Sequence, residues 1–442
     1  MNILITNARI VDPSQGIDSE GWVLVQDGVI AGMDAEGRTA PPVNSVAVAG
    51  CMTFDARGLY LFPGLVDMHC HLREPGFEYK ETIKSGTRAA AAGGFTSVCC
   101  MPNTKPVNDN ETVTEFIIRK ALSEGVCDVF PIGSITKRQE GAELAEMGMM
   151  KDAGCVAFSD DGRPVESALM MRHALEYAAG FDVPVVSHAE DLNLSLGGVM
   201  NEGRLSTMLG LGGIPSESEI IMIKRDIELA ALTGGRLHIA HVSTAGGVAA
   251  IREAKRTGIN VTAETCPHYF SATEDAVAGY NTYAKVNPPL RTVKDVEAIK
   301  AGLADDTIDA VATDHAPHHK DDKLCEFDKA AFGISGFETA LPLALRLVEE
   351  GVLTLSRLVE KMTIVPSRIF GLNKGTLNKG TLKKGADADI VLVDMKRSFT
   401  VDGDKFVSKG KNTPFNGMEL FGLPVMTIRR GIIVHDVREG RV

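Results

Sequence analysis

Two histidines one residue apart, His69 and His71, stand at the end of the apolar run Leu61-Phe62-Pro63-Gly64-Leu65-Val66-Asp67-Met68. Side chains alternate between the faces of a β-strand, so both imidazoles point one way and Cys70 the other. One strand end thus offers two nitrogen ligands to one point in space. A lone His-x-His is equally well explained by hydrogen bonds to backbone. Its weight here comes from repetition, because Asp160 and Asp161, His188, His241 and Asp314 also follow short apolar runs. Imidazoles and carboxylates without a thiolate suit Zn²⁺ and similar divalent ions. Five or six such ligands fit two metals sharing a bridging carboxylate and hydroxide better than one. Such a pair provides a nucleophile near neutral pH and polarises a carbonyl.

Alternation does not choose between Asp160 and Asp161. It puts His238, three residues before His241, on the opposite face as a packing residue, and gives His173 and His435 no part in the chemistry. Asp314 lies in Ala312-Thr313-Asp314-His315-Ala316-Pro317-His318, a turn that would hold a carboxylate and imidazoles close together. Arg73, two residues after His71, and Asn103, in Met101-Pro102-Asn103-Thr104, are suited to a substrate carboxylate. Arg contributes a planar fork of donors.

The elements that must position these groups alternate. Strands are expected near 64–71, 96–101, 128–134, 155–160, 183–188, 236–241, 260–264 and 309–313. Amphipathic helices are expected over 81–92, 113–124, 167–179, 217–233, 246–257 and 293–303. Eight buried strands separated by helices predict a (β/α)8 TIM barrel, whose functional groups sit at the C-terminal strand ends. An open doubly wound sheet satisfies the same pattern. Residues 1–60 are short β-rich segments broken by Gly and Asp, and 376–442 return to strand character. The expected division is therefore a barrel over 61–375 and a smaller composite β-sandwich domain built from both chain ends. A tandem duplication, Lys374-Gly-Thr-Leu-Asn-Lys379-Gly-Thr-Leu-Lys383, reads as a lengthened turn.

Composition narrows the partners. The chain has 442 residues, 44% of them hydrophobic, and a formal charge of −12, which disfavours nucleic acid and anionic membrane surfaces. It contains no uninterrupted apolar run long enough to span a bilayer and no secretory signal pattern. Its eight cysteines are scattered through apolar runs without a Cys-x-x-Cys pair, as in a reduced, cytoplasmic protein.

Several blocks, taken together, resemble the bacterial class I dihydroorotases of the amidohydrolase superfamily. These are Asp67-Met-His-Cys-His71-Leu-Arg-Glu-Pro-Gly76, Glu78-Tyr-Lys-Glu81, Met101-Pro-Asn-Thr104, Phe158-Ser-Asp-Asp-Gly162, Asn287-Pro-Pro-Leu-Arg291, Ala312-Thr-Asp-His-Ala-Pro-His318, Phe332-Gly-Ile334 and Gly385-Ala-Asp-Ala-Asp-Ile390. They run in order along nearly the whole chain. The resemblance implies a zinc-dependent cyclic amidohydrolase that reversibly closes N-carbamoyl-L-aspartate to L-dihydroorotate and water in pyrimidine biosynthesis. Carried over by residue, it implies two zinc ions, one on His69, His71 and Asp314 and the other on His188 and His241, with Asp161 bridging or binding. Asp314 becomes the general acid and base. Arg73, Asn103 and His318 become the carboxylate clamp, Asn287, Phe332 and Gly333 line the substrate pocket, and 319–332 matches a mobile covering loop. A homodimer is expected, and association with aspartate transcarbamoylase is open.

Two alternatives lie close by. Dihydropyrimidinases, hydantoinases, allantoinases and some dihydroorotases use a carboxylated lysine on the fourth strand, where this chain has Ser159, Asp160 and Asp161. An uncharged ring would also have no use for the clamp. A catalytically silent scaffold for aspartate transcarbamoylase would have lost metal ligands, whereas all those expected are present.

Overall fold

A computed structural model describes residues 2–35 and 51–438; the part of the expected N-terminal β-segment at 36–50, and both extreme termini, lie outside the described residues. The barrel strands are Leu65–Cys70, Phe95–Cys100, Asp128–Pro131, Phe158–Ser159, Val185–Ser187, Leu237–Ile239, Val261–Thr265 and Ala310–Val311. The first three pair in parallel, as do the last five in order. Parallel bridges Gly133–Phe158 and Cys70–His315 join the two groups, so the sheet closes into a barrel rather than remaining open. Four of these strands are only two or three residues long. Each strand nevertheless lies where an apolar run predicts one.

A helix follows each strand on the outside, from Ile83–Ala92 after the first to Phe337–Glu349 after the eighth. Side-chain caps define several starts: Thr82, Asn110, Ser167 and Thr244 each accept a first-turn backbone N–H. The apolar faces of these helices pack on the outward strand residues, with Ile83, Ile117, Leu175, Ile223, Ile251 and Leu303 in one continuous core. A second core fills the barrel itself, built from Val66, Met68, Cys99, Val186, Ala240 and Ala312. Ile369, Phe370 and Leu372 belong to it. Arg236, just before the sixth strand, donates to the Ile369 carbonyl, which places these residues at the N-terminal end. That end is plugged, leaving the C-terminal end for chemistry.

Both chain ends form one eight-stranded sheet in the order Ile432–Asp436, Glu419–Arg429, Ile390–Thr400, Tyr60–Pro63, Ile3–Asp12, Ile17–Gln26, Val29–Asp34, with Met52–Asp55 also pairing to Ile3–Asp12. The sheet folds back on itself. Ile30 donates to Ala386 O, Ala388 to Gly28 O and Gly431 to Ala388 O, which draws two hairpin tips together around a core of Ile3, Ile5, Val23, Val25, Leu392 and Ile428. The chain passes from sheet to barrel at Gly64, where a Cβ would stand 2.2 Å from Thr96 Oγ1. Tyr60–Pro63 thus pairs within the sheet.

The tandem duplication is more than a longer turn. Lys379, in its second copy, is fully buried and reaches Asp387 and Asp389 at 2.7 Å each, together with Asp128 at the start of the third barrel strand. Arg429 of the sheet also binds Asp128. The second copy ties sheet to barrel, while Lys374 of the first copy has an exposed side chain.

Candidate active site

The C-terminal strand ends bring six ionisable side chains together. His71 Nε2 lies 3.0 Å from Asp314 Oδ1 and 3.6 Å from Asp161 Oδ2. His69 Nε2 lies 3.4 Å from Asp161 Oδ1 and 3.5 Å from Asp314 Oδ1. On the other side, His188 Nδ1 and His241 Nε2 are 2.8 Å apart, and stand 3.3 and 3.4 Å from Asp161 Oδ1. Asp161 therefore sits between two groups. Ligand atoms of His69, His71 and Asp314 form one cluster within 4.8 Å, and those of His69, Asp161 and His241 another. All of these residues are buried.

The outer ring atoms show what the inner ones must do. His69 Nδ1 is 2.7 Å from Glu264 Oε1, His71 Nδ1 is 2.9 Å from Asn103 Oδ1, and His188 Nε2 is 3.1 Å from Glu190 Oε2. Each partner is an acceptor, so each outer nitrogen carries a proton. The inner nitrogens of the neutral rings then present lone pairs to carboxylate oxygens that also carry lone pairs. His69 Nε2 has no hydrogen-bond partner at all. Buried polar atoms are rarely left so without cause. Positive charge resolves the conflict, either as a second proton on each ring or as a metal ion. Burial opposes the proton, yet the carboxylates of Asp161 and Glu264 outweigh it and push His69 up to about 10. Burial is likewise overcome at His188, through Asp161 and Glu190, which is also raised to about 10. The nitrogen and oxygen donor set is that of Zn²⁺-like ions, so these residues fit divalent metal.

Backbone geometry aims the ligands. Pairing of the first two strands is irregular between Asp67 and Cys70, after which His69 and His71 face the site while Cys70 Sγ contacts Cys99 O in the outer core. His241 and Asp314 have φ of 35° and 43°, left-handed values that non-glycine residues adopt only when their surroundings over-determine them. Asp67 contributes to this by accepting from Thr313 N at 2.9 Å and Thr313 Oγ1 at 2.7 Å, tying the first strand to the residue before Asp314.

The turn at His241 also overrides the parity expectation for His238. Its ring points into the barrel, with Nε2 3.4 Å from Glu264 Oε2 and the ring 5.8 Å from Phe370. His238 thus stands behind the carboxylate that holds His69. Asp160 turns away from the site and accepts from Ile135 N at 2.8 Å, Thr136 N at 3.1 Å and Thr136 Oγ1.

Next to the ligands lies a cavity of about 170 Å³, lined by Arg73, Asn103, Asn287, Phe332 and Gly333 together with His71, Asp161, His188, His241 and Asp314. Asn103 is already engaged: besides holding His71 it donates to Asp161 Oδ2 at 3.3 Å. Asn287 donates to Glu190 Oε2 at 2.9 Å. His318 stands at the edge, with Nε2 2.7 Å from Phe332 O and 3.3 Å from Arg73 Nη2. Gly333 has φ 142°, and a Cβ there would lie 2.7 Å from Ala316 O and 3.1 Å from the His318 ring. No lysine lines the cavity among the described residues. The segment 319–332 is anchored from inside by two buried lysines. Lys323 donates to Thr282 O, Lys285 O and Ala331 O, and Lys285 to Phe327 O and Asp328 O.

Glu264, Glu190 and Asp67 were not singled out from sequence. Glu264 ends a buried strand, and an acid in that position is the one signal that could have flagged it.

A sequence profile of the Dihydro-orotase-like family matches residues 58–246. A dihydroorotase of Pelobacter propionicus is 57% identical over 435 residues, covering 98% of this chain and 100% of that protein. The dihydroorotase of Geobacter sulfurreducens is 57% identical over 436 residues, covering 99% and 100%. Among solved structures, an L-hydantoinase (dihydropyrimidinase) from Arthrobacter aurescens superposes with a TM-score of 0.86 at 28% identity, covering 98% of this chain and 96% of that one.

Proposed function

Because the chain belongs to the dihydroorotase family, and is an amidohydrolase acting on dihydroorotate in pyrimidine biosynthesis, we propose how its residues divide that work. The barrel entered at Gly64 carries the chemistry, and the sheet built from both chain ends supports it. The six clustered residues would hold two zinc ions, His69, His71 and Asp314 the one and His188 and His241 the other, with Asp161 as a further ligand. When bound, such ions polarise the ring carbonyl and bring the ionisation of water near neutrality.

The rest falls to the protein. Burial disfavours charge on Asp314, but the positive charge that the ligand cluster would hold beside it, where His71 Nε2 stands 3.0 Å away, favours the ionised carboxylate. It is therefore ionised and able to accept a proton. In the hydrolytic direction water adds to the ring amide carbonyl, Asp314 takes the proton released, and passes it to the ring nitrogen as the carbon–nitrogen bond breaks. Cyclisation of N-carbamoyl-L-aspartate reverses these steps. Arg73, assisted by His318 and Asn103, binds the carboxylate that both substrates carry, and Asn287, Phe332 and Gly333 orient the ring. The observation that carries this reading is one cavity lined both by the ligand cluster and by Arg73.

The scattering of the cysteines through apolar runs supports a cytoplasmic location, and no described helix is long and apolar enough to cross a membrane. The family resemblance extends the reading to a homodimer, open to association with aspartate transcarbamoylase. The deciding experiment pairs metal analysis of the purified protein with assays on dihydroorotate and a neutral hydantoin. We expect two zinc ions per chain and a strong preference for dihydroorotate. Equal or better turnover of the hydantoin would overturn the clamp, and full activity in metal-free protein would overturn the metal site.

A further inference from the structure

Of the ligand histidines, His241 is the one whose outer ring nitrogen has no acceptor behind it among the described residues, so its aim rests on the backbone that carries it. That backbone turns through φ 35° at His241, a value that persists only where the surroundings fix it. Ala240 before the turn donates to Ser187 O at 3.0 Å, and Val242 after it donates to Glu264 O at 2.9 Å. Beyond Val242 a single side chain takes over. Glu219 Oε1 accepts from Ser243 N and Thr244 N at 3.1 Å each and from Thr244 Oγ1 at 2.8 Å, while Oε2 accepts from Ser243 Oγ. Both residues are buried, and neither amide has another acceptor among the described residues. The hydroxyls fit without conflict, because Ser243 Oγ accepts in turn from Arg291 Nε at 3.3 Å and Thr244 Oγ1 from Gly247 N at 3.0 Å. Glu219 itself is buried in the helix Ser216–Thr233. Seven residues on, about two turns and so on the same face, Asp226 accepts from Ser187 Oγ at 2.6 Å, directly before His188. The helix that holds the turn after His241 is thus pinned beneath His188.

We propose that Glu219 is a positioning residue for one of the two metal ions, setting the place of His241 relative to His188 by holding the turn that follows His241. This rests on the reading of His188 and His241 as the pair that holds that ion. Without the carboxylate, the buried amides of Ser243 and Thr244 are left without an acceptor, and the turn must move to find others. Such a movement carries His241 with it. His69 and His71 keep their own acceptors in Glu264 and Asn103, and Thr313, before Asp314, keeps its bonds to Asp67. The loss therefore falls on one ion and spares the other.

The test uses the zinc-loaded full-length enzyme. Zinc retained per chain after dialysis against graded chelator is read by elemental analysis, beside a melting curve and kcat for dihydroorotate. Glu219→Gln keeps the shape of the side chain and removes its charge, whereas Glu219→Ala removes every bond to the turn. In Glu219→Gln one ion should be held about ten-fold less tightly, the low end of the range for groups that orient metal ligands, while the other leaves at the parental chelator concentration. Excess zinc should restore most of kcat. Glu219→Ala should widen the gap between the two ions; if it does not fold, Glu219→Gln decides alone. Parental retention of both ions in every folded variant would overturn the proposal. Equal loosening of both ions, or a loss of kcat that excess zinc does not restore, would overturn it as well, since either marks a general support of the fold rather than of His241. A fully loaded parent holding only one ion per chain would instead overturn the two-metal reading, and the inference with it.

Discussion

Exchanging Glu264 for Gln asks whether the metal site depends on the acceptor behind His69. The substitution keeps shape and one carbonyl oxygen while removing the negative charge. In the parent, Glu264 Oε1 meets His69 Nδ1 at 2.7 Å, with side chains 1% and 0% exposed, so solvent does not screen the pair. A hydrogen bond to a charged group contributes about 1.5–3 kcal/mol. An isosteric amide lacks the charge that makes this bond strong and should forfeit most of it, and each factor of ten corresponds to about 1.4 kcal/mol. We therefore expect metal affinity to fall about ten- to hundred-fold, the range seen when an acceptor behind a metal-bound histidine is changed. The assay is residual metal after dialysis against graded chelator, read by elemental analysis beside a melting curve of the same sample. Glu264→Gln should release metal at lower chelator concentration while remaining folded. Equal retention, with kcat at the parental value, would refute the view that the carboxylate raises His69 as a ligand.

Three further outcomes are expected. Arg73→Lys keeps a charge but loses the planar fork, and should lower kcat/KM for dihydroorotate about ten-fold or more; an unchanged ratio would place Arg73 outside substrate recognition. Asp161→Asn should lose both metal and activity, whereas Asp160→Asn, which still offers an oxygen to the Ile135 and Thr136 amides, should keep metal and lose about 1 kcal/mol of stability; the opposite result would reverse the assignment on the fourth strand. Lys379→Met leaves Asp128, Asp387 and Asp389 around a neutral side chain, and should destabilise by roughly 3–5 kcal/mol, with Arg429 keeping the loss near the lower end. A melting temperature within a degree or two of the parent would show that the buried cluster does not tie the sheet to the barrel.

The strand ends were legible because one local rule, alternation, acts over two residues. It pairs His69 with His71 and sets Cys70 apart, and the structure has this arrangement even though strand pairing there is irregular. The same rule fails at His238, since it presumes extended backbone up to His241, which instead turns through φ 35°. It could not separate Asp160 from Asp161 because the regular strand ends at Ser159, one residue before the choice is made. Local patterns gave the barrel for a related reason: buried strands and amphipathic helices announce themselves within windows of a dozen residues.

Contacts between distant positions are a different matter. Glu264 reaches His69 across 195 residues, Lys379 reaches Asp128 across 251, and Asp67 reaches Thr313 across 246. Nothing in the neighbourhood of any of these residues names its partner, and each reads alone as an acid or a lysine in a partly apolar stretch. The ligands carry type and spacing that express their chemistry directly, whereas the groups that hold them carry only a charge whose meaning depends on the closed barrel. The tandem duplication illustrates this. Its two copies share Lys-Gly-Thr-Leu, yet only Lys379 of the second meets three carboxylates, while Lys374 of the first meets Asp182 at the surface. Identical local sequence thus has two fates, and what separates them is the position of Asp128 on a strand begun some 250 residues earlier. The supporting groups become readable only when the fold supplies their neighbours, which is why substitutions at Glu264 and Lys379, rather than at the ligands themselves, test the arrangement that the sequence left hidden.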